Sequence, residues 1–354
     1  MQKKEICRLI EQGFKQGSCL TFYKSRNSHN NKYFKDRACR ITLKWKGDTP
    51  YRLIKSIQLS RPEDYLSIYQ SGCNFSCLKC HSWEFTQYKN GIWMSPEEII
   101  KICKEYIKVV TVIEPKERAT SFHAQDLCKH CGSCVLIGKR SELCPGILKP
   151  DQILLSPQGY GPARNIVAFT GGDLACNPEW YCKVAEKIKD LNLNLWILFE
   201  TNGYGLTPKN LDLFKSSGID AFWLDIKAWD NEIHKKLTGC ENTWILKLPE
   251  EILKRDFTLE ILSLYIPKWV EIDQIKEIAK HLVKIDPKIP FTILAFFGEY
   301  KLKDVRSPTL AEMLEAYQVA KESGLKNVRL GNISVFVKNE KDFEILLKFA
   351  KEAI

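Results

Sequence analysis

No apolar run in the chain approaches the roughly 20 residues needed to cross a bilayer. The opening residues, MQKKEICRLIEQGFKQ, lack the apolar core and small-residue cleavage site of a secretory signal. A helical membrane span and an exported chain are thereby excluded as readings, and a cytoplasmic protein with no membrane partner is expected. Internal repeats, low-complexity segments and charged tails are also missing. The formal charge of +10, from 53 Lys and Arg against 43 Asp and Glu, is spread along the chain. It permits a nucleic acid or acidic protein partner without pointing to one, and a solvated Lys/Glu-rich surface accounts for it more simply. What the sequence has in abundance is cysteine, 14 in all. In a reducing compartment these are expected as metal ligands or reactive thiols, not as disulfides.

From residue 64 onward, short β-rich apolar runs alternate with amphipathic stretches of helical length. Strands are expected at 65–70, 166–170, 195–200, 221–226, 259–266, 291–297 and 328–330. Helices are expected at 96–106, 178–191, 208–217, 271–285 and 308–323, several with Pro at the first helical position after Ser, Asn or Thr. This alternation predicts an α/β fold of parallel βα units, a partial or full (β/α)6-7 barrel with its reactive end beyond the strands' C-terminal ends. Residues 1–63 read as an N-terminal extension and 64–354 as the barrel. Within it, residues 114–162, rich in Cys, Gly and Pro, read as an insertion.

The segment SGCNFSCLKCHSWEF sets Cys73, Cys77 and Cys80 in a C-x3-C-x2-C spacing directly after an expected strand. Three thiolates on a short loop can hold three irons of a cubane cluster and leave the fourth open to a small ligand. A structural zinc site usually needs four ligands in two pairs, and His81 is too close to Cys80 to complete one easily. Thr170, Gly171, Gly172 and Asp173 follow the next strand. Glycines there let backbone approach a ligand closely, and the acid can accept from an ammonium. Glu200, Thr201, Asn202 and Gly203 end the third strand, and Asp225, Ile226 and Lys227 the fourth, followed by EIHKKLTG with His234.

Together these segments resemble the radical S-adenosylmethionine (SAM) superfamily, whose signature is this cysteine spacing after the first strand with an aromatic residue, here Phe75, before the second Cys. The resemblance is nearest to the pyruvate formate-lyase activating enzyme and AmmeMemoRadiSam branch. The latter is matched by SWEFTQ, FFGEYKLKDV and GLKNVRLGN, so that residues 64 to about 335 are covered. It implies a [4Fe–4S] cluster on Cys73, Cys77 and Cys80, with SAM on the open iron. Reductive cleavage of SAM would give methionine and a 5′-deoxyadenosyl radical. Thr170 to Asp173 would meet the SAM amino group, with Asp in place of the family's Glu. Lys227 would meet its carboxylate, and Glu200, Thr201 and Asp225 would hold a monovalent cation. Glu200 stands where the family has Asp, and a strand-end ion pair is the bland alternative for Asp225 and Lys227. Asn202 and His234 complete the implied cofactor contacts.

Cys128, Cys131, Cys134 and Cys144 form C-x2-C-x2-C-x9-C-P, close to the bacterial ferredoxin ligand run but with a longer last gap. Four ligands saturate a cubane, so a second [4Fe–4S] cluster here would carry electrons, relaying them to the first. Zinc is the competing occupant. Among the remaining cysteines, Cys103 is expected in the core. Cys176, just past the Gly-Gly-Asp turn, could donate a hydrogen atom or ligate a further cluster. Phe22, Tyr23, Lys24, Arg26, Tyr33, Phe34, Lys35, Arg37 and Arg40 mix aromatic and basic side chains, which suits nucleic acid or a solvated face. The leading expectation is a radical enzyme acting on a protein or peptide, fed by a reductant such as ferredoxin or flavodoxin. RNA or a small cofactor precursor is the alternative substrate, and a two-cluster electron-transfer protein the alternative class. No Asp-Gly-Pro-Gly precedes Cys73, unlike most glycyl-radical activating enzymes, and no cobalamin domain is apparent.

Overall fold

The computed structural model describes residues 6–24 and 33–354. Its frame is one sheet whose central strands are β1 (Leu66–Gln70), β2 (Ile166–Gly171), β3 (Trp196–Thr201), β4 (Ala221–Asp225), β5 (Thr258–Tyr265), β6 (Phe291–Ala295) and β7 (Val328–Gly331). All seven are parallel and lie in sequence order. Every strand expected from the apolar runs is present. Each connection is a local βα crossover, the arrangement parallel neighbours need. The sheet stays open, a partial barrel: β7 ends one side, and the strands Thr49–Leu59 and Leu43–Lys46 continue it antiparallel beyond β1.

Buried Phe169, Phe199, Phe214 and Phe222, with Trp180 and Tyr181, fill the space between sheet and helices. Cys103 is fully buried among them, as its helical position implied. Helix starts follow the sequence signals. Ser95 caps Pro96–Ile107 in a reciprocal box with Glu98, and Thr207 caps Pro208–Ser217. The expected start at Pro308 shifts: Thr309 and Glu312 form the capping box, so the helix runs Leu310–Glu322 with Pro308 outside it. Among the described residues no helix is long and apolar enough to cross a membrane.

The 114–162 segment packs at the N-terminal ends of the strands. Buried Arg164, just before β2, pairs with Glu114 and donates to the Thr120 carbonyl at 2.7 Å. The Phe122 amide donates to Glu260 of β5 at 2.9 Å, Arg329 of β7 pairs with Asp126, and His130 meets Asp64, just ahead of β1, at 2.9 Å.

Candidate functional site

The cysteine loop leaves the C-terminal end of β1, where loops of βα folds carry chemistry. Its turn is made by Gly72, at φ +79°. A Cβ at Gly172 would stand 2.1 Å from the Gly72 carbonyl oxygen, so only glycine lets the two turns touch. Fully buried Arg52, from the strand Thr49–Leu59, ties the turns together. Its guanidinium donates to the carbonyls of Gly72 (3.3 Å) and Gly172 (3.4 Å), and to Thr42 Oγ1 (2.7 Å). The loop's far side is held by backbone: Ser76 and Leu78 amides donate to the carbonyls of Thr238 (3.0 Å) and Leu237 (2.8 Å). A lid of later sequence closes over it. Glu299 pairs with Lys79 at 2.6 Å and His81 at 3.1 Å, Lys79 sits 3.6 Å over the Phe297 ring, and Tyr300 stacks on Trp83.

A cavity of about 420 Å³ opens beneath this loop, within the range of small-ligand sites. Cys73, Cys77 and Cys80 line it together with Phe75, Thr170, Gly171, Asp173, Glu200, Thr201, Asn202, Asp225 and Lys227. Leu262, Leu264, Leu294 and Phe297 supply apolar wall. Of the residues named from sequence, Gly172 is absent from the lining because it packs on Gly72, and His234 because it lies behind Phe75. The His234 ring is 5.7 Å from that of Phe75; Nδ1 is 2.8 Å from the Cys240 carbonyl, and burial pushes its pKa down to about 4. Cys176 lies outside this cavity and lines another.

Electrostatics divide the acids by task. Asp173, 3% exposed, spends both oxygens on protein: Ala175 N at 2.8 Å, Thr201 Oγ1 at 2.6 Å and Asn202 N at 3.0 Å. It thereby pins the end of β3 to that of β2, and Asn202 in turn donates to Asn74 Oδ1 at 2.6 Å beside Cys73. Glu200 accepts from Thr170 and from Tyr65 Oη (2.8 Å); burial nonetheless pushes its carboxyl up to about 8. Asp225 pairs with Lys227 through one oxygen, while its buried Oδ1 has no partner among the described residues, nor has Trp223 Nε1 beside it. Burial opposes the Lys227 charge, yet Asp225 holds its pKa above the ordinary value. An unpaired acceptor, a buried donor and an ammonium on one wall suit a zwitterionic ligand. Burial pushes the Cys73 thiol up to about 12 and raises Cys77 and Cys80 as well. Among the described residues no three His, Cys, Asp or Glu side chains gather to hold a single metal ion. A cubane differs in placing each cysteine on its own iron. The three loop thiols and the orphaned Asp225 and Trp223 atoms fit that group with an amino-acid ligand.

Cys128, Cys131, Cys134 and Cys144 are elsewhere. Cys128 accepts from the His130 amide at 3.2 Å, and His130 reaches Asp64 at the start of β1. The set therefore lies a strand's length, about 17 Å, from the loop that leaves the other end of β1. Residues missed by the sequence reading are Arg52, Tyr65, Trp223 and Glu299. Only Glu299 had a signal, since it sits in the FFGEYKLKDV stretch.

Residues 127–282 match the radical SAM superfamily. The match spans β2 to β5 with their strand-end motifs, and opens at the second cysteine run, downstream of Cys73–Cys80. A protein of Methanocaldococcus jannaschii named as a glycyl-radical enzyme activating enzyme is 31% identical over 129 residues, 35% of this chain and 48% of that one. The 4-hydroxyphenylacetate decarboxylase activating enzyme of Clostridium scatologenes is 35% identical over 203 residues, 54% and 64% of the two chains. The chain thus matches only half to two thirds of the length of these relatives. A solved domain of pyruvate formate-lyase activating enzyme from Bacteroides vulgatus overlays with TM-score 0.40 at 19% identity, over 47% of this chain and 98% of that one. Residues 127–282 thus match a radical SAM domain, and both relatives are named as activating enzymes.

Proposed function

We propose that the protein is a radical SAM enzyme of the activating type, acting on a protein or peptide. One observation carries the reading: Cys73, Cys77 and Cys80 share a single cavity with Asp225, Lys227 and Thr201. The second cysteine run, where the superfamily match begins, does not line that cavity, so the loop after β1 is the better seat for the SAM-binding cluster. When bound there, cluster and SAM supply reductive cleavage of a carbon–sulfur bond and hence hydrogen abstraction.

The chain's own residues bind and orient. Lys227 presents its ammonium to a carboxylate, and Asp225 Oδ1 stands ready to accept from an amino group. Phe75, buried against Tyr204 and His234, backs the loop. Glu200, Thr201 and Asp225 are the oxygen donors for a monovalent cation, as the strand-end motifs implied; Glu200 with a pKa near 8 would need that cation to stay ionised. Apolar Leu262, Leu264 and Phe297 line the cavity beside these groups, and a less polar wall strengthens each polar contact there.

Names of the relatives favour a protein substrate over RNA, and so does the N-terminal hairpin Leu20–Lys24/Tyr33–Arg37. Phe22 stacks on Tyr88 at 5.0 Å and carries Lys35 at 4.6 Å, which uses ring faces that nucleobases would need. Arg26 lies outside the described residues. For Cys128, Cys131, Cys134 and Cys144 we keep an iron–sulfur cluster over zinc on their spacing. A relay from there, supplied by ferredoxin or flavodoxin, has to cross the length of the sheet.

The test is anaerobic reconstitution with iron and sulfide, then a 5′-deoxyadenosine assay with dithionite and SAM, beside a Cys73→Ala/Cys77→Ala/Cys80→Ala variant. Product from the wild type alone supports the assignment. Equal product from the variant, or none from a fully loaded wild type whose EPR signal ignores SAM, would overturn it.

A further inference from the structure

Four cysteines that no motif unites come together on the back of the site. Cys7, Cys19, Cys39 and Cys176 line one cavity of about 1120 Å³, behind the Gly-Gly-Asp turn. Cys19 and Cys176 are each 8% exposed, and Cys7 and Cys39 pack half-buried against the same small cluster of Leu9, Ala38 and Leu174. The Ala38 amide donates to the Cys19 carbonyl at 2.8 Å, which brings Cys39 beside Cys19. The sulfurs of Cys7, Cys19 and Cys39 all bear electrostatically on Cys176. All four are free thiols. Arg8, Arg37 and Arg40 line the same cavity.

We propose that Cys7, Cys19, Cys39 and Cys176 hold an additional iron–sulfur cluster. Buried cysteine is ordinarily core. Here, however, four thiols edge one open cavity, whose three arginines are joined by Glu11, Asp36 and Glu179, with Arg8 paired to Glu179 and Arg40 to Asp36. Four soft thiolates select zinc or iron–sulfur. Zinc sites are built from closely spaced pairs converging on one point. These cysteines have no paired spacing, coming from positions 7, 19, 39 and 176. A cubane, with one cysteine per iron, suits that spread and the size of the cavity.

The position gives the centre a use. Asn74 lines this cavity while its neighbour Cys73 lines the other, and the Asn74 amide donates to the Asp173 carbonyl at 2.9 Å. Cys176 follows Asp173 by three residues, so their Cα atoms are at most about 11 Å apart. The four-cysteine centre is thus one wall from the cysteine loop, whereas the Cys128 set lies at the far end of β1.

The deciding experiment replaces Cys73, Cys77, Cys80, Cys128, Cys131, Cys134 and Cys144 by Ala and reconstitutes the chain anaerobically. About four irons and four sulfides per chain are expected to remain, with visible absorption bleached by dithionite and lost on adding Cys19→Ala and Cys176→Ala. Less than one iron, or one stoichiometric zinc, in a chain folded by circular dichroism would overturn the proposal. Should that variant not fold, the wild type decides: about twelve irons, falling by about four in Cys19→Ala/Cys176→Ala and unchanged in Cys103→Ala. A wild type whose iron content is unchanged by Cys19→Ala/Cys176→Ala would refute it. Because the readout is metal content, failure of SAM cleavage leaves it unaffected.

Discussion

Replacing Gly172 by Ala should separate the cysteine loop from the strand-end motifs. The added Cβ would sit 2.1 Å from the Gly72 carbonyl oxygen and 2.7 Å from that of Gln70, both backbone atoms, where real contacts stay beyond 3.0 Å. No rotamer can relieve this, so one turn must retreat by close to an ångström. That movement strains the Gly172 amide's 2.8 Å bond to the Gln70 carbonyl and the two Arg52 contacts that bridge the turns. Overpacking of this kind costs about 1–3 kcal/mol, and a weakened buried hydrogen bond about 1 kcal/mol more. A total of about 3 kcal/mol lowers Tm by roughly 6–12 °C, toward the lower figure for a chain this long. Calorimetry on the unloaded protein would read it, with Gly13→Ala as control. Gly13 has φ +80° but nothing within 4 Å of a Cβ, so only its conformational cost of about 1 kcal/mol should appear. Iron held by the loop should fall in parallel for Gly172→Ala alone. A Tm within 2 °C of wild type with full iron loading would refute the claim that these turns must touch.

Lys227→Met should weaken SAM binding by about tenfold or more, the worth of one charged hydrogen bond, without altering iron content; isothermal titration on the loaded protein would show it. Glu299→Ala leaves the Lys79 ammonium, 8% exposed, without its carboxylate. Stability should drop by about 1–3 kcal/mol, and oxygen should bleach the loop's cluster faster in stopped-flow absorbance. Glu260 is fully buried, and burial pushes its carboxyl up to about 7 from 4.5 despite hydrogen bonds from Phe122 and Thr292. Between those values the folded state binds the extra proton, so stability falls as pH rises from about 4.5 to about 7 and stays reduced above. Urea melts of the unloaded protein should show Glu260→Gln gaining on wild type by up to about 3 kcal/mol between pH 5 and 8. A pH-independent difference would contradict the shift.

How much was legible in the sequence depended on the range of the interaction. The seven parallel strands are continuous apolar runs buried on both faces, and such runs announce themselves. The cysteine loop and the motifs at the ends of β2, β3 and β4 are likewise local patterns, and the structure brings them to one cavity. Arg52 was invisible because an arginine in YRLIKS reads as a surface residue until the two glycine turns are seen to converge on it. The Cys7, Cys19, Cys39 and Cys176 grouping has no spacing signal, since its members meet only through tertiary packing. Where the insertion sits was also hidden: spacing can propose ligands, but which end of a sheet they occupy follows from the crossover that carries them. The shifted start at Thr309 was a local choice, Thr with Glu three residues on outcompeting Pro as a helix signal.

The N-terminal arm carries a consequence for how the molecule is made. Ser18 donates to the Thr238 carbonyl at 2.7 Å and accepts from the Ser76 amide at 2.9 Å, while Lys15 pairs with Glu241. The contacts with Thr238 and Glu241 join residues more than 200 positions apart. At synthesis rates of about 5–20 residues per second, on the order of 10–40 s pass between the arm and its anchor. For most of that interval, the roughly 8–32 s between Cys80 and Thr238, the Cys73–Cys80 loop has been synthesised but lacks its back wall, so delivery of iron and sulfide has a natural window before the last strands seal the loop in place.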